Sequence, residues 1–233
     1  MTDRVLVELH SHTRASRDGW MRPADLVRAA RARGLHRIAV TDHNTLSGAR
    51  AAQALAPDLV IVGEEVLTTE GELLGWFVRE EVPAGLPPLE AAQRLKAQGA
   101  VVALAHPFDT WRQAFRGETL AQLLPWLDAV EGFNARTRKP GANAAARAWA
   151  QAHGLPVVSG SDAHLAWEVG RAATLLPPFA TADELRQALQ AAQPRGRPAP
   201  LWVNVGSRLA VLLHRWGRLR LPAGSETPHS PQA

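Results

Sequence analysis

The feature that most restricts what this chain can fold into is a recurring unit: a short apolar run rich in β-branched residues that ends in a histidine or a carboxylate. The first is Val5-Leu6-Val7-Glu8-Leu9-His10-Ser11-His12. Side chains alternate faces along an extended strand, so His10 and His12 point the same way at its C-terminal end. The unit recurs at Arg37 to His43, Asp58 to Val66, Ala100 to Pro107 and Leu155 to His164, with further apolar strands at Gly71 to Val78 and Ala129 to Asn134.

Between these runs lie amphipathic segments with helix-boundary residues: one opening at Pro23 and closing at Gly34, then Leu46 to Leu55, Pro88 to Gln98, and stretches around 118–124, 142–153 and 181–191. Strands alternating with helices predict a parallel α/β sheet. Apolar strands that turn polar only at their C-terminal ends predict a barrel with its site at that rim. About seven such strands give a barrel one unit short of eight, with a further strand at 172–176.

One domain is expected over residues 1–193, followed over 194–221 by a linker (Pro194-Arg195-Gly196-Arg197-Pro198) and a basic amphipathic helix at 207–220. Residues 222–233 read as a disordered tail.

The candidate ligands at the strand ends and the loops after them are His10, His12, Asp18, His43, Glu65, His106, Asp162 and His164. Eight is too many for one ion. Buried imidazoles and carboxylates without partners would be costly, and a metal centre removes that cost. His36, His153, His214 and His229 fall in helix ends, a turn or the tail and read as solvated. The 233 residues include no cysteine, so any metal must be held by nitrogen and oxygen. Zinc, manganese and iron all suit such a set.

The 26 basic and 22 acidic side chains leave a net charge of +4, with Lys96 and Lys139 the only lysines. This is too slight to define a nucleic-acid surface. No signal peptide and no apolar run of membrane-spanning length is present, which places the expected protein in the cytoplasm.

His10-Ser11-His12, Ser16-Arg17-Asp18-Gly19, Thr41-Asp42-His43-Asn44-Thr45, Gly63-Glu64-Glu65, Ala105-His106-Pro107 and Gly160-Ser161-Asp162-Ala163-His164 together resemble the PHP (polymerase and histidinol phosphatase) family, in the family's motif order over about residues 5–176. The resemblance implies a distorted seven-stranded (βα) barrel holding two or three divalent ions and, in active members, hydrolysing phosphoesters.

By motif, one ion falls to His10, His12, Glu65 and Asp162. Glu65 bridges to a second ion held by His106, and a third falls to Asp18, His43 and His164. Many members have a histidine where this chain has Glu72-Leu73-Leu74-Gly75. Two readings stay open for Glu72, a substitute ligand or a turn carboxylate. The Gly71 to Gly75 and Glu131 to Arg136 stretches resemble a bacterial branch of uncharacterised members, so the family name leaves the substrate open.

The implied reaction is attack of a metal-activated water on a phosphate mono- or diester of a nucleotide or small metabolite. His10, His12, Glu65, Asp162 and His164 form the catalytic set, with the hydroxide near Glu65 and His164 or an ion relieving charge on the leaving oxygen. Asp42 is expected to orient a ligand imidazole. Arg14, Arg17, Arg136 and Arg171 lie near motif ends and are placed to clamp phosphate oxygens. Two other readings share these residues: a metallohydrolase for another ester or an amide, and a non-catalytic, metal-stabilised module that binds a partner. Nucleic acid is a further candidate partner through the 207–220 helix, whose alternative is packing of its Leu/Val/Trp face on the barrel.

Overall fold

The computed structural model describes residues 4–200 together with Val203 and Val211. The expected helix at 207–220, Val211 apart, and the tail at 222–233 lie outside the described residues. Seven strands form the barrel wall: β1 (Val5–Glu8), β2 (Arg37–Val40), β3 (Val60–Leu67), β4 (Glu72–Trp76), β5 (Val101–Ala105), β6 (Ala129–Asn134) and β7 (Val157–Gly160). They pair in sequence order, and two more strands, β8 (Ala172–Leu176) and β9 (Gln193–Gly196), continue the sheet beyond β1.

The wall closes at its rim. There the extension of β1 meets the exit of β7 through a parallel bridge between Ser11 and Ala163, with His12 N–H on the Ala163 carbonyl at 2.8 Å and Asp162 N–H on the His10 carbonyl at 2.9 Å. Lower down, β8 runs antiparallel to β1 and touches β7 through Thr174 Oγ1, which accepts the Ser159 N–H.

The strict alternation of each strand sorts its side chains into two apolar layers. Val7, Ala39, Ile61, Leu74, Trp76, Val101, Ala103 and Val158 form one continuous cluster that fills the barrel. Ile38, Val40, Val60, Val62, Val102, Leu104 and Val130 pack outward with helix residues such as Leu26, Ala30, Ala49, Ala52, Leu95 and Ala150. Each fully buried Leu or Ile stabilises the fold by ~1.5–3 kcal/mol relative to exposure.

Helices α1 (Pro23–Ala32), α2 (Ser47–Leu55), α3 (Pro88–Ala97), α4 (Gly117–Leu123) and α5 (Ala142–Ala152) contribute to the outer layer. Helix α6 (Ala182–Leu189) adds Leu185, Ala188 and Leu189 to the inner cluster instead. Its Arg186 binds the carbonyls of Gly99 and Ala100 at the start of β5, so α6 closes the N-terminal end of the barrel and leaves the other end open.

Two features differ from the sequence reading. The sheet is not wholly parallel: β4 is antiparallel to both β3 and β5. A turn at Thr68 to Gly71, in which Thr68 Oγ1 donates to the Glu70 and Gly71 carbonyls, is too short for a crossover, and only an antiparallel return fits. The segment read as a linker begins with β9, antiparallel to β8. Pro194 is tolerated because β9 is the edge strand. Gly196 is needed because a Cβ there would stand 2.4 Å from the Phe133 ring.

Candidate metal centre

The open end of the barrel gathers all eight candidate residues. β1 proper ends at Glu8, and the chain runs on past Leu9 to place His10 and His12 with ring centroids 5.1 Å apart. Glu65 sits in β3 and reaches both: its Oε2 is 3.1 Å from His10 Nε2 and 3.3 Å from His12 Nε2, while its Oε1 is 3.1 Å from His106 Nε2. Asp162 Oδ1 lies 3.3 Å from His12 Nε2. Asp18 Oδ2 lies 2.8 Å from His164 Nε2 and 3.6 Å from His43 Nε2. His106 and Asp162 have φ of +26° and +54°, left-handed values that non-glycine residues adopt at a cost and that recur at functional sites.

Glu72 resolves to the centre rather than to a turn. Opening β4, its carboxylate stands 3.4 Å from His106 Nε2 and 3.5 Å from His43 Nδ1. Three groups of potential ligands result, with ligand atoms within 4.8 Å of one another: His10, His12 and Asp162; His12, His43 and His164; His43, Glu65 and Glu72.

The surrounding hydrogen bonds set which nitrogen faces inward. His10 Nδ1 donates to Glu131 Oε1 at 2.8 Å. His12 Nδ1 donates to Ser16 Oγ at 3.2 Å, and that hydroxyl itself donates to Asp42 Oδ1, so Asp42 orients the imidazole through Ser16. His164 Nδ1 lies 2.7 Å from the Asp162 carbonyl and 2.6 Å from Arg136 Nη1, so its tautomer decides which of the two it bonds. In His10 and His12 the Nε2 lone pair is thus left for the centre, and the Nε2 of all three rings is buried without a hydrogen bond among the described residues. Orphaned basic nitrogens beside carboxylates are the donor set a divalent cation requires, and an apolar or hydrogen-bonded core would not leave them so. The residues fit bound metal.

Charge is shared across this cluster. Burial opposes ionisation of Asp18, Glu65 and Asp162, but facing cations hold all three well below the usual carboxylate range: His164 and His43 for Asp18, His10 and His43 for Glu65, and Arg112 and His10 for Asp162. Burial also opposes charge on His43, yet Glu65, Asp18 and Glu72 lift it to about 10. His164 goes the other way, down to about 4, through burial with Arg136 and His12 against it. Arg136 Nη1 lies 2.6 Å from its Nδ1, which sets a permanent cation against the ring. Glu72 is raised by burial and by Glu65.

Sequence reasoning missed two participants. Glu131 Oε2 accepts the His106 backbone N–H at 2.9 Å and Asn134 Nδ2 at 3.0 Å, so one carboxylate on β6 organises His10, His106 and Asn134 together. Its polar place in an apolar strand was the available signal. Arg112, in the loop after β5, donates from Nη1 to Asp162 Oδ2 at 2.7 Å, and nothing local in the sequence points to it.

The four nominated arginines are not gathered there as a set. Arg136 is buried against Glu168 at 3.2 Å and the Val203 carbonyl at 3.1 Å, and Arg171 bonds the Pro198 carbonyl and lies over the Trp167 ring. Arg14 is half-buried and Arg17 exposed on the loop that carries Asp18.

The PHP domain model matches residues 8–84, and a PHP-associated model matches residues 140–194. An uncharacterized protein of Methanocaldococcus jannaschii is 35% identical over 144 residues, covering 56% of this chain and 82% of that protein. The chain belongs to the PHP family. A second uncharacterized M. jannaschii protein is 38% identical over 138 residues, 58% of this chain; the chain covers only 55% of its length.

Among solved structures, a two-domain protein of Bacteroides vulgatus containing a predicted PHP-like metal-dependent phosphoesterase superposes with a TM-score of 0.67 at 19% identity, over 84% of this chain and 65% of that one. Endonuclease Q, solved with a 27-mer duplex bearing an abasic lesion, superposes with a TM-score of 0.63 at 15% identity, over 84% and 60%. These likenesses show the PHP-like fold, in a chain whose own residues build the centre. No helix of the described residues is long and apolar enough to cross a membrane.

Proposed function

We propose that this PHP chain is a metal-dependent phosphoesterase acting on a phosphate mono- or diester. The observation that carries the reading is the trio of buried Nε2 atoms of His10, His12 and His164, set among Glu65, Asp162 and Asp18. His10, His12, Glu65 and Asp162 would hold one ion, Glu65 with His106 and Glu72 a second, and Asp18, His43 and His164 a third. Zinc, manganese or iron would each suit these donors. Such ions supply an acidified water and a positive field for charge developing on phosphorus.

The protein's contribution is orientation. Glu131 fixes the His10 ring, and Asp42 with Ser16 fixes the His12 ring. His164 would serve as a ligand through Nε2, which stands 2.8 Å from Asp18 Oδ2. The pairing of β9 with β8 and the bond from the Ala199 N–H to the Ala135 carbonyl support a folded unit that runs past residue 193.

The test is metal content by elemental mass spectrometry, followed by turnover of an aryl phosphate, a bis-aryl phosphate and an aryl carboxylic ester. Two or three ions per chain with phosphate-selective turnover, lost in His43→Ala and Asp162→Ala while both variants stay folded, is the expected result. Preference for the carboxylic ester would instead favour acyl hydrolysis. Bound metal without turnover of any ester would favour a partner-binding module.

A further inference from the structure

The arginines around the centre differ in what they have left to offer. Arg136 and Arg171 are engaged with Glu168, backbone carbonyls and Trp167, as described above. Arg112 is different. Its Nη1 is anchored on Asp162 Oδ2 at 2.7 Å and its Nε stands a looser 3.7 Å from Asp109 Oδ2, while the side chain remains 30% exposed. Its Nη2 makes no hydrogen bond to a described residue.

The oxygens of Asp162 are divided in consequence. Oδ1 faces the His10, His12 and His164 rings at 3.3–3.8 Å, and Oδ2 is taken by Arg112 and by Asn134 Nδ2 at 3.2 Å. The guanidinium is therefore fixed in direction and adjoins the ligand cluster, with the side chain still partly open to solvent. It carries a permanent charge beside Asp162, Glu65 and Glu72, carboxylates that would otherwise repel an anion.

We propose that Arg112 is the substrate-binding residue for the phosphate group, donating its outer N–H groups to non-reacting phosphate oxygens while its inner edge stays on Asp162. This deepens the phosphoesterase reading and rests on it. A planar fork can bind two carboxyl or phosphoryl groups at once, one on each edge, which an ammonium cannot do with fixed geometry. Sequence position suggests Arg14, Arg17, Arg136 and Arg171 for this role, and Arg112 is added to them.

The test uses the full chain loaded with manganese and compares wild type, Arg112→Lys and Arg112→Ala. It measures binding of inorganic phosphate by calorimetry, turnover of p-nitrophenyl phosphate, and bound metal by elemental mass spectrometry. Loss of charged hydrogen bonds should raise the phosphate Kd and the substrate KM by roughly ten- to a hundredfold in both variants, with metal retained in Arg112→Lys. Added guanidinium ion should recover part of the affinity in Arg112→Ala and none in Arg112→Lys.

A phosphate Kd within about twofold of wild type in metal-loaded Arg112→Ala overturns the proposal. So does a weakened Kd that returns to the wild-type value once metal occupancy is restored, since Arg112 would then act only through Asp162. Arg112-dependent phosphate binding by a wild-type protein that hydrolyses no phosphate ester would support the site while overturning the phosphoesterase reading. A metal-loaded wild type that binds no phosphate overturns this proposal.

Discussion

Nδ1 of His10 and Oε1 of Glu131 stand 2.8 Å apart, and both side chains are wholly excluded from solvent. The pair crosses the barrel mouth from β1 to β6 and fixes the tautomer in which His10 offers Nε2 to the centre. Glu131→Gln keeps one acceptor oxygen, which can face the His10 N–H or the His106 and Asn134 donors but not both, and it sets an NH2 against whichever donors are left. Apparent metal affinity should fall about 10- to 100-fold, as for other partners of metal-bound histidines, with little change in secondary structure. Metal titration against a competing chelator measures it; an unchanged affinity would remove Glu131 from the centre.

Gly160, the last residue of β7, lies under that pair. A Cβ there would stand 2.1 Å from Glu131 Oε1 and 2.5 Å from His10 Cβ. Gly160→Ala should therefore destabilise the fold by about 1–3 kcal/mol. That corresponds to a melting temperature lowered by roughly 3–10 °C for a chain of this size, with metal binding weakened in parallel. Scanning calorimetry of the metal-free and metal-loaded variant separates the two effects.

Glu72 contacts His106 and His43 but lies outside the His10, His12 and Asp162 group. Glu72→Ala should thus lower the number of ions bound without abolishing binding, whereas His12→Ala should remove metal from the two groups that contain His12. Elemental analysis of the two variants after identical reconstitution gives the comparison. Equal metal content in wild type and Glu72→Ala would show that Glu72 is only a neighbouring carboxylate.

Glu64, on the opposite face of β3 from Glu65, accepts the Val82 N–H at 3.0 Å, and burial pushes its carboxyl up to about 7 from the usual 4.5. The folded state therefore binds a proton that the unfolded chain has already released between these values. The stability this provides is fully present below pH 4.5 and is lost as the pH rises through 7. In metal-free protein, Glu64→Gln keeps the acceptor and removes the titration, so its stability relative to wild type should grow from pH 5 to pH 8. Urea melts at the two pH values test this; a constant difference would mean that Glu64 is ionised in the fold throughout.

How far the chain could be read in advance depended on how local each signal was. The strands of the wall, the helices between them and the strand-end positions of His10, His12, Glu65, His106 and Asp162 followed from alternation and helical periodicity. Those patterns are imposed by backbone geometry and are complete within a few residues. That apolar strands ended in polar groups also located the open end of the barrel, because a buried imidazole or carboxylate has to meet a partner.

Only the tertiary structure decided the rest. Glu72 became part of the centre because β4 runs antiparallel between β3 and β5. Glu131 reached His10 because the barrel closes β7 and β6 back toward β1, across 121 positions of chain. Arg112 met Asp162 from a loop 50 residues away, while Arg136 was drawn into a buried pair with Glu168. Sequence determined which residues could bind a cation and on which strand each would ride. Their partners were set by strand order, barrel closure and loop path, which depend on contacts between distant segments that no local pattern encodes.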